Sequence, residues 1–183
     1  MDSFFMQDCS TGNSGTEAIL DFQMSWLLRL VTKKDADKTL QDISYNTISI
    51  LLGLTKGSFE VESVRVWKQW KYIDVKAEVS IRKDGVIENH LVVLENKIYH
   101  KFYKEQLDKN SRVILDNYDY PRNRIHFWLV YGNDEIDYDE LQKVCKDANP
   151  QWQSIWFYDV IGGERQKPIG NDLFDEFWVN RWS

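Results

Sequence analysis

The sequence is poor in residues that build disulfide frameworks or zinc sites: its 183 residues include two cysteines and three histidines. Cys9 and Cys145 belong to no Cys-x-x-Cys or Cys/His group, so we expect two free thiols. His90, His100 and His126 do not stand at paired ligand spacing, which argues against a metal site built on histidine.

Long apolar runs are also absent. No stretch approaches the roughly 18 consecutive apolar residues that a membrane helix needs. The first residues, MDSFFMQDCS, lack the basic start and apolar core of a signal peptide. We therefore expect a cytoplasmic protein with no membrane contact. The net charge of -6 argues against a protein that coats nucleic acid through bulk charge.

The composition is that of a globular protein, with 43% hydrophobic and 14% aromatic residues. The sequence contains no internal repeat, no proline-rich linker and no low-complexity tract. We expect residues 1–13, a small polar run, to form a flexible arm. Residues 14–183 are then expected to fold as a single domain.

Hydrophobic periodicity predicts an α/β protein of the mixed type. Helical patterns and strand patterns alternate after two initial helices, which indicates a central mixed sheet of about five strands flanked by helices. The aromatic segment DLFDEFWVNRW near the end is also expected to be helical. Helices are predicted over 15–31, 38–53, 99–118 and 137–147, and strands over 60–69, 72–82, 87–96, 124–132 and 153–160.

Residues 73–97 are the most informative segment, because an Asp-Gly pair separates two apolar runs that each carry an acid. Asp84-Gly85 favours a two-residue type I′ turn. That turn fixes the register so that Asp74 lies opposite Glu95, with β-carbons about 4.5 to 5.5 Å apart. A three-residue turn would shift the pairing by one and send the two acids to opposite faces.

Lys97 shares a face with Glu95, because side chains alternate along a strand. Two carboxylates this close repel one another, and burial raises the cost. Mg²⁺ is typically held by one or two carboxylates together with water and phosphate oxygens, so Asp74 and Glu95 suit this ion. A simpler interpretation stays open: acids near strand ends are often solvated, and Glu95 with Lys97 would then be a surface ion pair.

The stretches YIDVKAEV and HLVVLENKIYHKFYKEQL resemble the core of the PD-(D/E)XK nuclease superfamily, the restriction-endonuclease-like proteins. That family carries an Asp and a Glu-x-Lys on adjacent strands of an α-β-β-β-α-β core. The resemblance covers residues 14–131 in element order, and its specific part is confined to 72–107. Ile73 stands where the motif name has Pro, a departure that many members share.

The resemblance implies a function and a set of site residues. Asp74 and Glu95 would bind Mg²⁺ or Mn²⁺, with the main-chain carbonyl of Asn96 as a further ligand. Lys97 would orient or help deprotonate the attacking water and offset charge in the transition state. The implied activity is metal-dependent hydrolysis of phosphodiester bonds in nucleic acid, with DNA as the expected substrate.

Two further positions match family features. Many members carry a Glu on the first helix that reaches the site, and Glu17 is the candidate here. Glu17 also stands three residues after Ser14, the spacing of a capping box, so both interpretations stay open. Gln106 matches a Gln that some exonuclease-like members place after the Lys. Asn110 stands where those members have Tyr, which speaks against an exonuclease assignment.

Lys101 is the expected nucleic-acid contact, through a phosphate, although pairing with Glu105 at i, i+4 is an alternative. Specificity would have to come from loops, a protein partner or a homodimer, because no recognition domain is visible. A nuclease-like fold that keeps the site residues but serves as a binding or assembly module is the alternative function. An acidic interaction domain without metal is a third hypothesis.

Overall fold

The structure is a computed structural model that describes residues 16–98, 103–132, 137–163 and 167–180. The predicted arm, Ser14 and Lys101 lie outside these ranges. The elements follow in the order α1 (Thr16–Leu30), α2 (Lys38–Leu52), β1 (Glu60–Trp70), β2 (Ile73–Lys83), β3 (Val86–Lys97), α3 (Lys104–Asn117), a 3-10 turn (Arg122–Arg124), β4 (Ile125–Tyr131), α4 (Tyr138–Asp147), β5 (Gln153–Trp156), a second 3-10 turn (Asp159–Ile161), α5 (Asp172–Phe174) and a π-helical turn (Asp175–Asn180).

The strands form one sheet in the order β1-β2-β3-β4-β5. β1, β2 and β3 pair antiparallel, whereas β3, β4 and β5 pair parallel. Parallel neighbours need a crossover connection, and α3 and α4 lie on the two crossovers. The predicted mixed α/β class, with a five-stranded mixed sheet flanked by helices, is confirmed.

Helices cover the sheet from two sides. On one side α1, α2 and the C-terminal helical segment bury apolar side chains against β2 and β3, including Leu20, Leu51, Trp178, Val75 and Val92. On the other side α3 and α4 pack against the opposite residues of the same strands, including Leu107, Leu141, Leu91 and Val93. Within the described ranges, no helix is long and apolar enough to cross a membrane.

The hairpin between β2 and β3 has the predicted turn and register. Asp84 and Gly85 have φ values of 51° and 77°, as a type I′ turn requires. Lys83 pairs with Val86, and the ladder continues to Val75 opposite Leu94. The ladder ends there, next to Asp74 and Glu95, and Asp74 is tied to β3 by a hydrogen bond from the main-chain N–H of Asn96.

Two predicted boundaries are wrong. The third helix begins at Lys104, and Tyr103 is its N-cap with 57% of its surface exposed rather than a residue of the buried face. β5 ends at Trp156, because the chain then turns into the second 3-10 turn. The last aromatic segment is helical, as predicted, with a short α-helix followed by the π-helical turn and Trp178 fully buried.

Candidate active site

The predicted site residues meet where β3 ends and β2 begins. Glu95 is fully buried, and 9% of the surface of Lys97 is exposed. The Oδ2 atom of Asp74 accepts a hydrogen bond of 2.9 Å from the main-chain N–H of Asn96. This bond holds the Asp74 carboxylate against the strand that carries Glu95 and Lys97. The structure therefore brings all three charged residues of the predicted site together.

Glu95 is surrounded by donors from two elements. Its Oε1 atom forms an ion pair of 2.7 Å with Lys97 Nζ and also accepts a hydrogen bond from the side-chain amide of Gln106. Its Oε2 atom accepts a hydrogen bond of 2.8 Å from Asn110 Nδ2. Gln106 and Asn110 lie four residues apart on α3, so they project from one face of that helix. This face of α3 fixes the orientation of the Glu95 carboxylate.

The two acids share a buried, negatively charged environment. The pKa of Glu95 is raised to about 7, chiefly by burial and next by the nearby charge of Asp74, while Lys97 and Asn110 act in the opposite direction. Burial also raises the pKa of Asp74 to about 6, with the charge of Asp21 as the second cause. Perturbed carboxylates of this kind are typical of functional sites.

Lys97 remains an ammonium group in this environment. Burial lowers its pKa, but the charges of Glu95, Asp74 and Glu17 outweigh that effect, so its pKa is raised. A protonated lysine can donate hydrogen bonds but cannot accept a proton. In the arrangement described here Lys97 therefore offers a positive charge and a donor beside the two acids.

A third acid joins the site from α1. Asp21 is buried, and its Oδ1 atom accepts a hydrogen bond of 2.6 Å from Asn96 Nδ2. The side-chain amide of Gln69, at the end of β1, donates to Asp21 Oδ2 at 2.8 Å and to Asp74 Oδ1 at 3.1 Å. Gln69 thus holds two carboxylates with one amide group.

Glu17 also reaches the site. Its Oε1 atom accepts a hydrogen bond of 3.1 Å from the main-chain N–H of Ile98, directly after Lys97. The proposed capping contact with Ser14 lies outside the described residues. Glu17 and Asp21 are four residues apart on α1, so both carboxylates extend toward the end of β3.

The oxygen atoms gathered here suit a hard divalent cation. The carboxylates of Asp74 and Glu95 and the carbonyl of Asn96 are the ligand type that Mg²⁺ and Mn²⁺ prefer. Among the described residues, no group of three or more His, Cys, Asp or Glu side chains is arranged to hold a metal ion, but the expected ligand set is smaller than that. Asn96 Oδ1 is buried without a hydrogen-bond partner, so the polar network around the acids is incomplete.

Sequence reasoning missed three residues of this network. Asp21 and Gln69 were not considered, and Asn110 was noted only as a departure from a family pattern. A signal existed for Asp21, because its i, i+4 spacing from Glu17 places both acids on one helix face. The expected phosphate contact, Lys101, lies outside the described residues.

Comparison with known proteins adds one structural likeness. No protein-family model matches the sequence, and no curated protein matches it. The solved structure of the DNA modification-dependent restriction endonuclease AspBHI is similar, with 14% identity and a TM-score of 0.38. The match covers 88% of this chain and 36% of that enzyme, so the chain spans about a third of the enzyme's length.

Proposed function

We propose that this chain is a divalent-metal-dependent nuclease that hydrolyses phosphodiester bonds in nucleic acid, with DNA as the expected substrate. The observation that carries the proposal is the convergence of Asp74, Glu95 and Lys97. The two carboxylates are held side by side by donors from three elements, and the lysine is paired with one of them. An ordinary surface ion pair would not need this surrounding network.

In this proposal Asp74, Glu95 and the carbonyl of Asn96 hold Mg²⁺ or Mn²⁺. The bound cation would polarise the phosphoryl oxygen and lower the pKa of a bound water, which is what hydrolysis requires at neutral pH. Both oxygens of Asp74 and the Oε2 atom of Glu95 accept one hydrogen bond each and so retain a lone pair, whereas the Oε1 atom of Glu95 already has two partners. Gln69, Gln106 and Asn110 would keep both carboxylates in a fixed orientation, as outer partners of metal ligands do.

Lys97 has a separate role in this proposal. Its ammonium group would donate a hydrogen bond to the attacking water or to a phosphate oxygen and offset the negative charge that develops in the transition state. Glu95 holds the lysine in place through the 2.7 Å ion pair. Loss of Lys97 should therefore reduce turnover more than cation binding.

A non-catalytic binding or assembly module is the second candidate. It is favoured by the fact that all four carboxylate oxygens of Asp74 and Glu95 already accept hydrogen bonds or an ion pair from the protein. A network satisfied in this way can serve a structural purpose without a metal.

Cleavage assays separate the two candidates. Purified protein is incubated with supercoiled, linear and single-stranded DNA and with RNA, in Mg²⁺, Mn²⁺ or EDTA. The nuclease proposal predicts cleavage that requires the cation and is lost in Lys97→Ala. Lys34→Ala is the matched control, since Lys34 is exposed in the loop between α1 and α2. Cation-dependent thermal stabilisation without cleavage of any substrate would favour the binding module.

A further inference from the structure

Lysines lie over aromatic rings at three places around the turn between β1 and β2. The distances from lysine Nζ to the ring centroid are 4.7 to 5.3 Å, within the range of cation–π contacts. The pairs are Phe22 with Lys68 at 5.3 Å, Trp70 with Lys71 at 5.0 Å, and Tyr72 with Lys109 at 4.7 Å.

Two of these three rings are exposed, whereas Trp70 is partly buried and packs against the core. Tyr72 exposes 77% of its surface and Phe22 exposes 42%. Eight other aromatic residues of the described chain, among them Trp178 and Phe157, are buried in the core, whereas Tyr103 and Tyr138 are also exposed. Packing of the core therefore does not explain why aromatic residues occupy positions 22 and 72.

The backbone of this turn is also unusual. Trp70 pairs with Ile73, so Lys71 and Tyr72 are the two central residues of the turn, with φ values of 50° and 72°. A turn with positive φ at both central residues strongly prefers Asn-Gly or Asp-Gly. The next hairpin of the same sheet uses that preferred chemistry, with Asp84 and Gly85 at closely similar φ values.

The contrast between the two turns indicates that the side chains of Lys71 and Tyr72 serve a function. A lysine and a tyrosine in the left-handed region strain the backbone, and such strain persists mainly where side chains serve a function. In the Asp84-Gly85 turn the same backbone shape is reached without that strain.

The turn borders the candidate active site. Tyr72 lies two residues before Asp74, and Gln69 at the other side of the turn donates hydrogen bonds to Asp21 and Asp74. Lys109, which contacts Tyr72, precedes Asn110, a donor to Glu95. The tyrosine and its lysine thus connect the turn to the helix face that orients Glu95.

We propose that the Trp70–Tyr72 turn, with Phe22, Lys68 and Lys109, binds single-stranded nucleic acid and feeds an unpaired strand to the site. This inference rests on the proposed function and names its substrate class. Exposed rings can stack on bases only where those bases are not stacked within a duplex, and stacking accepts any base. The lysines contact the phosphates, which gives a protein of net charge -6 a local positive surface.

Binding is measured by fluorescence anisotropy in EDTA, which separates it from cleavage. Labelled single-stranded DNA, single-stranded RNA and duplex DNA of equal length are compared over a range of salt concentrations. We expect tighter binding of single strands than of duplex, with an affinity that falls as salt rises. The affinities for single-stranded RNA and single-stranded DNA show whether ribose or deoxyribose is preferred.

Tyr72→Gly is the decisive variant, because glycine suits the positive φ and should not destabilise the turn. We expect it to weaken single-strand binding by about 5- to 150-fold without lowering the unfolding temperature, whereas Tyr72→Phe retains affinity. Ile87→Ala, at the exposed tip of the other hairpin, is the control. Equal binding of duplex and single strands, or wild-type affinity in Tyr72→Gly, would overturn the inference.

The same proteins are then assayed for cleavage in Mg²⁺ or Mn²⁺. Single-strand binding that depends on Tyr72 without any cleavage would leave this inference standing and refute the nuclease proposal. Cation-dependent cleavage of duplex DNA that is unchanged in Tyr72→Gly would support the nuclease proposal and refute the inference that this turn binds single strands.

Discussion

The side-chain amide of Asn110 donates a hydrogen bond of 2.8 Å to the Oε2 atom of Glu95, a residue with no exposed surface. Gln106, one helical turn earlier, donates to the other oxygen. The residue that departs from the exonuclease-like pattern therefore contacts the acid at the centre of the candidate site. Its polar side chain satisfies a buried carboxylate oxygen that would otherwise lack a partner.

Asn110→Ala should destabilise the protein. Removal of the amide leaves Oε2 of Glu95 buried without its donor, which costs about 1–3 kcal/mol of unfolding free energy. Urea unfolding measures this difference, with Asn89→Ala as the control because Asn89 is exposed on the same strand as Glu95. Equal stability of the Asn110 variant and the wild type would show that this contact is unimportant.

Substitution of Lys97 should separate catalysis from cation binding. Lys97→Met retains the length of the side chain but removes its charge, so we expect kcat to fall by about 100- to 1000-fold. Mn²⁺ affinity, measured by calorimetry, should change little, because the carboxylates and the Asn96 carbonyl are the expected ligands. A variant that lost Mn²⁺ binding but cut normally with excess Mn²⁺ would contradict this division of roles.

Stability without metal should fall as pH rises, through Asp74 and Glu95. The folded protein holds the proton of Asp74 up to about pH 6, against an ordinary pKa of 3.8, and that of Glu95 up to about pH 7, against 4.5. The folded state therefore binds more protons than the unfolded state between these limits, and its stability decreases across that interval. Above the folded-state pKa values of the two acids, the loss of unfolding free energy has reached its full size and no longer grows with pH.

Asp74→Asn should remove part of this dependence. In EDTA the variant should gain roughly 1–3 kcal/mol relative to the wild type between pH 4 and pH 8. His126 acts in the opposite direction, because burial lowers its pKa to about 4, but it is present in both proteins and cancels in the difference. Chemical unfolding at several pH values measures the effect, and a constant difference across that range would refute it.

The side-chain amide of Gln69 should stabilise the folded protein, because it donates hydrogen bonds to both Asp21 and Asp74. Gln69→Glu keeps the shape of the side chain but replaces the shared donor with a third carboxylate beside Asp21 and Asp74. We expect a loss of about 1–3 kcal/mol in EDTA, larger at pH 8 than at pH 5. Gln41→Glu on α2 is the matched control, since the side-chain amide of Gln41 donates an exposed hydrogen bond to the carbonyl of Lys33. Similar losses in the two variants would argue against the bridging role.

The hairpin could be predicted because its information is local. Asp84-Gly85 specifies a turn type, the turn type specifies a register, and the observed register extends to Val75 opposite Leu94, next to Asp74 and Glu95. Asp21 and Asn110 could not be placed in this way. Their contacts depend on how α1 and α3 pack against opposite faces of the sheet, which periodicity alone does not determine.

The predicted helix and strand boundaries were wrong where the local sequence pattern was ambiguous. Tyr103 fits the apolar period of the predicted third helix, yet it caps that helix in solvent. The role of Gln69 was hidden for another reason. Its side chain reaches both acids from a strand end whose backbone has an unusual positive φ of 51°, and no sequence rule anticipates that conformation for glutamine.

The most direct test of the central claim is a crystal structure in Mn²⁺ with anomalous diffraction. The claim is that Asp74 and Glu95 together bind the divalent cation on which cleavage depends. We predict an anomalous peak at about 2.0–2.3 Å from a carboxylate oxygen of each residue, absent in Asp74→Asn crystals grown the same way. A wild-type crystal in which Mn²⁺ binds elsewhere, with both carboxylates still held only by their protein donors, would contradict the claim.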